Sequence, residues 1–313
     1  MTVRSLLISA LLLAALPLAA QEKTSTYGPM GDHVIAGPGQ TVDIITPHIT
    51  DSHVIELPFG HEWELPRWTP IHVGGLTIDM SPTKHVIMLL IAALLCLGIM
   101  IPAAMSNERQ TAHKGHAKGF AGAIESLVLF IRNEVVLPNV GHHGEGFVPF
   151  ATTLFFFILF ANLLGLVPYG STATGNISVT AMLAITAFVV IEVAGMRALG
   201  TGYWKTIIYW PSDQSIWIKL PMTFIMTPIE IIGKITKPFA LAIRLFANMT
   251  AGHVVLLALI SLIFTFGSYY VAAAPIAMGV AISMLELFVA LLQAYIFTLL
   301  ASVFIGLIRE SAH

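Results

Sequence analysis

Charge is what this sequence has least of. Only 10% of its 313 residues are Asp, Glu, Lys or Arg, against about a quarter in an ordinary soluble domain. With 15 basic residues against 17 acidic ones and a formal net charge of -2, it lacks the phosphate-tracking surface that nucleic-acid binding requires, and that class of function is excluded. Cysteine is nearly absent too. Cys96 stands alone in an apolar run, so no disulfide forms within the chain and nothing about redox compartment follows. There is no P-loop GxxxxGK[ST], no HExxH and no GxSxG, so independent nucleotide hydrolysis is not expected. What is present instead is apolar surface: 56% of residues are hydrophobic and the mean hydropathy is +0.83. This composition is that of a membrane protein, organised as one polytopic unit.

Residues 1–20 have a positive n-region at Arg4, an apolar h-region from Leu6 to Leu18 and small residues at Ala19 and Ala20, the layout of a secretory signal. The expected mature chain then begins near Gln21; the alternative is a retained first membrane helix. Either way, residues 21–84 form an extracytoplasmic extension. Eight acidic residues in it, Glu22, Asp32, Asp43, Asp51, Glu56, Glu62, Glu64 and Asp79, oppose three basic ones, Lys23, Arg67 and Lys84. That imbalance suits the side away from the cytoplasm. Its histidines, His33, His48, His53, His61 and His72, are spaced too irregularly for a zinc fold. A short extension, extended or partly β-structured and packed on the outer surface, is expected.

A bilayer core about 30 Å thick needs roughly 20 apolar residues in helical form. Residues 86–105 meet this without a single charge. The next stretch, SNERQTAHKGHAKG, carries Arg109, Lys114 and Lys118, which mark the cytoplasmic side by the positive-inside rule. Residues 120–140 mix apolar positions with Glu125, Arg132 and Glu134, the pattern of an amphipathic helix at the cytoplasmic interface. No charge separates Glu145 from Glu192, and PYGSTATGN divides that run into spans at 149–167 and 177–196. Arg197, Lys205 and Lys219 then fall again on the inner side. Residues 220–266 are helix-compatible except at Pro221, Pro228 and Pro238; a straight helix of that length extends about 70 Å at 1.5 Å per residue. Such a segment either breaks at a proline or crosses the membrane strongly tilted. After GSYY, a last span over 274–308 returns to Arg309. The expected fold is all-α: a polytopic membrane protein with about five crossing helices, the last two long and tilted, plus an interfacial helix. Its parts are the leader 1–20, the extension 21–84 and a membrane domain over 85–313.

A charge at the centre of a membrane helix costs at least about 2.5–3.5 kcal/mol on insertion scales and is a functional hypothesis by default. The first long helix carries Glu230, Lys234, Lys237, Arg244 and His253, and the second carries Glu286 and Gln293. At about 100° per residue, Glu230, Lys237 and Arg244 stay within about 40° of one another, with Lys234 and Asn248 beside them. That helix has one polar stripe. Glu286 and Gln293 share a face of the partner helix. Ala240, Ala242, Ala247, Ala251 and Gly252 around Arg244 are small, which lets another backbone approach closely. Lys234 and Lys237 are expected to snorkel to the cytoplasmic interface. Glu230 fits either an interface position or the wall of an aqueous cavity. Arg244 is far from both ends of its apolar run and cannot shed its proton, so it must be paired or wetted.

KPFALAIRLFANMTAG at 237–252 and LLQAYIFTLLAS at 291–302 closely resemble subunit a of the F-type ATP synthase, and FANLLGLVPYGSTATGNISVT at 160–180 is similar to that family's Asn, Leu-Pro and Asn-Val-Thr region. The likeness runs from about Lys84 to Arg309. It implies a stator subunit whose two aqueous half-channels carry protons to and from the carboxylates of the c-subunit ring, coupling proton flow to rotation and ATP synthesis. The complex is then the enzyme, and this subunit is non-catalytic and needs no cofactor. Its implied partners are the c ring, the b subunits of the peripheral stalk, the remainder of the synthase and the lipid of a bacterial inner membrane. The amino end lies outside and the carboxyl end in the cytoplasm.

By the same resemblance, Arg244 is the arginine facing the ring, Gln293 the glutamine beside it and Asn248 the asparagine one turn on. Glu230 matches an acid linked to the cytoplasmic half-channel. Asn162, Asn176, Ser178 and Thr180 fall in a hairpin whose polar residues help line the other half-channel. His253 and Glu286 exchange places relative to some bacterial members, keeping one acid and one imidazole in the set. On a straight helix His253 falls about 180° from Arg244, which directs it to the outer half-channel and away from the ring. Ala247 stands where many members have Gly, and Asn176 and Ser178 where Asp and Asn are common. The imidazole and carboxyl favour H⁺ over Na⁺ as the ion. Two other readings stay open on the residues alone. A secondary transporter also places Arg, Glu and His at membrane depth, although the inverted repeats of many such folds are not found. A passive membrane anchor would have no use for the charged stripe.

Overall fold

The computed structural model describes residues 50–57, 61–73, 76–114, 119–141, 144–167, 170–210, 215–266 and 269–310. The leader, the segment 21–49 and His33 and His48 lie outside them. The apolar runs are helices: α1 over Lys84–Lys114, α3 over Val148–Gly165, α4 over Ile177–Leu199, α5 over Ile216–Phe266 and α6 over Tyr269–Glu310. Between the first two lies α2, Phe120–Phe130, which continues into a π-helical stretch, Ile131–Val136, and a last turn, Leu137–Val140. Five helices, all but α2, are long and apolar enough to cross a membrane. The fold is the expected all-α polytopic one.

α5 resolves the alternative posed by its length. It runs through Pro221, Pro228 and Pro238 as one helix of 51 residues, about 77 Å at 1.5 Å per residue. In membrane helices the carbonyls that proline frees find other partners, so such a segment need not break. A helix more than twice the bilayer core in length must tilt steeply or extend beyond it.

The centre of the bundle is α3. Leu154, Phe155, Phe156, Phe157 and Ile158 are all buried, as suits a helix apolar on every side. Phe155 and Phe156 meet edge to face at 5.2 Å between ring centres. α2 does more than lie at an interface. Ile131, Val135 and Val136 are fully buried, and their spacing of four and five falls on one side of the wider π-helical turn. Arg132 on the outer side pairs with Glu145 at 2.8 Å. By contrast α5 is nearly bare. Between Ile216 and Phe246 only Leu241, Ala242 and Leu245 are buried, and Met249 one turn on; this thin stripe rests on α4 and α6.

The extension before α1 is partly β, as expected. Strand β1, Val54–Leu57, pairs antiparallel with β2, His61–Glu64, placing Val54 opposite Glu64. Strand β3, Ile71–Val73, pairs with β4, Leu76–Ile78. What attaches this segment to the bundle is the start of α1. The Lys84 amide donates to Ser52 O at 2.9 Å, and His53 Nδ1 lies 3.1 Å from Pro82 O. Asp51 Oδ1 is 3.0 Å from His85 Nδ1, and Asn176 Nδ2 at the head of α4 donates to Asp51 Oδ2 at 3.4 Å. Burial pushes the Asp51 carboxyl up, but the hydrogen bond and charge of His85 outweigh it and hold the group below the usual carboxylate range.

A carboxyl depressed in the folded state stabilises above its unfolded value, about 3.9, and that stability is lost as pH falls through the folded value. Hydrogen exchange should therefore find the Lys84 amide protected at pH 5 and progressively released well below about pH 3.9. Asp51→Asn should flatten that acid transition.

Candidate functional site

The site is built on α5 and α6, and the buried stripe of α5 decides which way its charges point. Because Leu241, Ala242, Leu245 and Met249 face the bundle, Ala240, Ile243, Arg244, Ala247, Asn248 and Ala251 are exposed on other sides. Arg244 makes no hydrogen bond or ion pair with a described residue. Among the described residues it is therefore not half of a structural ion pair. Its flank is small: three exposed alanines, Ala240, Ala247 and Ala251, lie within two turns, so a partner helix can come close without steric penalty. Gln293 is buried on α6 between Ala290 and Ala294, and no hydrogen bond joins it to Arg244.

His253 and Glu286 are brought together, as the resemblance implied. His253 Nδ1 is 3.3 Å from Glu286 Oε1. Its Nε2 is 2.9 Å from Gly165 O and 2.5 Å from Thr172 Oγ1. A carbonyl can only accept, so Nε2 carries a hydrogen and Nδ1 is left to exchange with the carboxyl. At that distance a proton bound at either Nδ1 or Oε1 can bridge the pair. Two glycines make room for this. A Cβ on Gly252 would collide with the Glu286 carboxyl, and one on Gly165 with the Thr172 side chain.

The hairpin residues divide. Asn162 is fully buried; its Nδ2 donates to Ala290 O at 3.2 Å and its Oδ1 accepts from Thr174 Oγ1 at 2.7 Å, pinning α3 to α6 one turn before Gln293. Asn176 caps α4, its Oδ1 accepting the Ser178 amide at 2.9 Å. Thr180 turns its hydroxyl back to Ile177 O at 3.1 Å. A cavity with about 20 Å³ of space for water centres lies beside them, bounded by His85, Ser171, Thr172, Thr250 and His253. None of Asn162, Asn176, Ser178 and Thr180 lines it.

At the other end of the bundle, Lys234 does not snorkel. Its Nζ is 3.2 Å from Glu192 Oε2, donates to Thr206 Oγ1 at 3.1 Å and sits 4.7 Å above the Tyr203 ring. The Tyr203 hydroxyl also donates to Glu192. Lys237 lies over Phe304 at 5.0 Å. Glu230 is exposed and pairs with no described residue.

The chain matches the family model described as ATP synthase A chain over residues 86–306. It is 45% identical over 293 residues to ATP synthase subunit a 2 of Chlorobaculum tepidum, which covers 91% of this chain and 80% of that one. It is 47% identical over 261 residues to ATP synthase subunit a of Chloroherpeton thalassium, covering 83% and 74% respectively. The corresponding subunit a 2 of Prosthecochloris aestuarii is 43% identical over 296 residues, covering 94% of this chain and 86% of its own. The chain belongs to the ATP synthase subunit a family. It is thus a multi-pass protein of the synthase membrane sector.

Within this family member, sequence reasoning missed Glu192, Tyr203, His85, Asp51, Ser171 and Thr172. For Glu192 a signal existed: an acid inside the span 177–196 needs a cation nearby, and Lys234 was available. A buried pair broken by removing one partner costs about 3–5 kcal/mol, whereas replacing both with apolar groups is close to neutral. Lys234→Met should accordingly lower the thermal stability of the solubilised complex. Adding Glu192→Leu should recover most of the loss.

Proposed function

We propose that this chain is the stator of a proton-driven rotary synthase, offering two aqueous half-channels that end on either side of Arg244. The observation that carries this reading is a guanidinium exposed on the outer side of a membrane helix, without a partner among the described residues. A cation at such depth needs a counter-charge or water, and a carboxylate on a neighbouring ring of c subunits supplies one transiently. The passing carboxylate is favoured in its ionised form beside Arg244. The same fixed charge repels protons that would cross directly from one half-channel to the other. Lysine would serve poorly, since a buried ammonium can lose its proton.

The remaining residues divide by side. His253 and Glu286 carry protons from the outer solution to the rotor, with Asn162, Asn176, Ser178 and Thr180 in the surrounding hairpin. Glu230 stands near the release path to the cytoplasm. Gln293 and Asn248 flank Arg244. The membrane potential contributes about 2.3 kcal/mol per charge per 100 mV, so the ring must sum several charges for each ATP. No covalent bond is made or broken by this subunit, and it is not itself catalytic. Basic residues Arg109, Lys114, Lys118, Arg197, Lys205 and Arg309 put the connecting ends and the carboxyl end in the cytoplasm of a bacterial cell, where the b subunits hold the stator fixed.

ATP-driven acidification of inverted vesicles tests this reading. Arg244→Ala should abolish it in assembled complexes, and pumping at the native rate in that variant would refute the role. A passive anchor predicts no change.

A further inference from the structure

The family match begins at residue 86, yet a built polar cluster sits just ahead of it. His85 is 2% exposed. Its Nδ1 faces two different partners, Asp51 Oδ1 at 3.0 Å and Asn176 Nδ2 at 3.4 Å. A protonated Nδ1 donates to the carboxylate; a bare Nδ1 accepts from the amide. With Asp51 ionised the proton sits on Nδ1; with Nδ1 bare it sits on Asp51 Oδ1 and the Asn176 amide can donate to the ring, so a proton that arrives on Asp51 has an acceptor 3.0 Å away. Asp51 keeps its side chain 19% exposed, so the cluster reaches solvent at one edge.

His85 also borders the cavity described above. That cavity of about 20 Å³ has both His85 and His253 in its wall and exceeds the roughly 10–15 Å³ that one water needs. Its wall offers the Ser171 hydroxyl, which is buried without a partner among the described residues. The Thr172 hydroxyl belongs to the cavity and also touches His253 Nε2. The polar atoms thus run from Asp51 through His85 and the cavity to His253 and Glu286.

We propose that Asp51 and His85 form the mouth of the outer half-channel, taking up protons from the extracytoplasmic solution and passing them through the cavity to His253 and Glu286. This rests on the half-channel reading above and assigns its intake to the extension, ahead of the family's matched stretch. In each transfer Nδ1 of His85 takes a proton from Asp51, which returns to its carboxylate, Nε2 releases one toward the cavity, and a flip of the ring restores the starting tautomer. Asn176 then has a second role besides capping α4: it holds the deprotonated ring in place.

The test uses the complete synthase in liposomes, with ATP synthesis driven by an imposed proton gradient. A lost proton-transfer group commonly costs two or more orders of magnitude, which water in the channel partly offsets, so Asp51→Asn and His85→Gln should each slow synthesis on the order of tenfold. Asp51→Glu should restore it, and ATP hydrolysis by the soluble sector should be unchanged. Independently, Ser171→Cys in a Cys96→Ala background should be inhibited by silver ion presented at the extracytoplasmic face, while the Cys96→Ala parent is not. Native rates in both Asp51→Asn and His85→Gln, or a Ser171→Cys variant indifferent to silver, would overturn the proposal. If the Asp51 and His85 variants fail to assemble, the silver result decides. An inactive Arg244→Ala beside fully active Asp51→Asn and His85→Gln would remove this intake and leave the half-channel reading standing.

Discussion

An ionised side chain surrounded by hydrocarbon must find a counter-charge, a dipole or water, and most of the arrangement of this bundle follows from how that demand is met. Glu192 and Lys234 answer each other across α4 and α5, with Tyr203 and Thr206 completing the set. Glu286 and His253 answer each other across α6 and α5. Arg244 has no partner among the described residues, and it is turned outward from the thin buried stripe of α5. The internal pairs hold the helices in register.

Those pairs need close helix approach, and small residues provide it. Gly252 is where α5 comes near enough to α6 for the Glu286 carboxyl to lie against its backbone, and any Cβ there would displace the acid. Gly306 plays the same part between α6 and the end of α2, where a side chain would run into Asn139 O. Between helices in lipid no hydrophobic force draws surfaces together, so contact of this kind and interhelical hydrogen bonds carry the association. Asn162, satisfied by Ala290 O and the Thr174 hydroxyl, is one such bond at the very centre.

Much of this was legible in the residues, for identifiable reasons. The apolar runs fixed the number of long helices because bilayer thickness sets a length scale that sequence reports directly. The contact between His253 and Glu286 could be expected from resemblance, and the opposite facing of His253 and Arg244 from helical period alone. Continuity of α5 could not, because proline's effect depends on what the surrounding helices offer the freed carbonyls. Nor could the Glu192 and Lys234 pair, 42 residues apart, or the seating of Asp51 on Asn176, 125 residues away. Sequence spacing reveals partners on one element; partners across elements appear only once the topology is known. The buried face of the π-helical stretch was hidden for a related reason, since a period of 3.6 misplaces residues where the turn is wider.

The two imidazoles show how partners of opposite character set what a histidine can do. His253 has its Nε2 committed to a carbonyl, which never donates, so exchange is confined to Nδ1 and the Glu286 carboxyl beyond it. The Gly165 carbonyl therefore gives the ring a direction. His85 has the reverse arrangement: its Nδ1 stands between a carboxylate that wants a proton there and an amide that wants none. A proton that arrives on Asp51 therefore has an acceptor on the ring, and the amide can hold the ring when that nitrogen is bare. Such a cluster, open to solvent at Asp51, suits the entry of a path, and a ring with one committed nitrogen suits its interior. The order in which the two occur along the chain of polar atoms is the order that such a path needs.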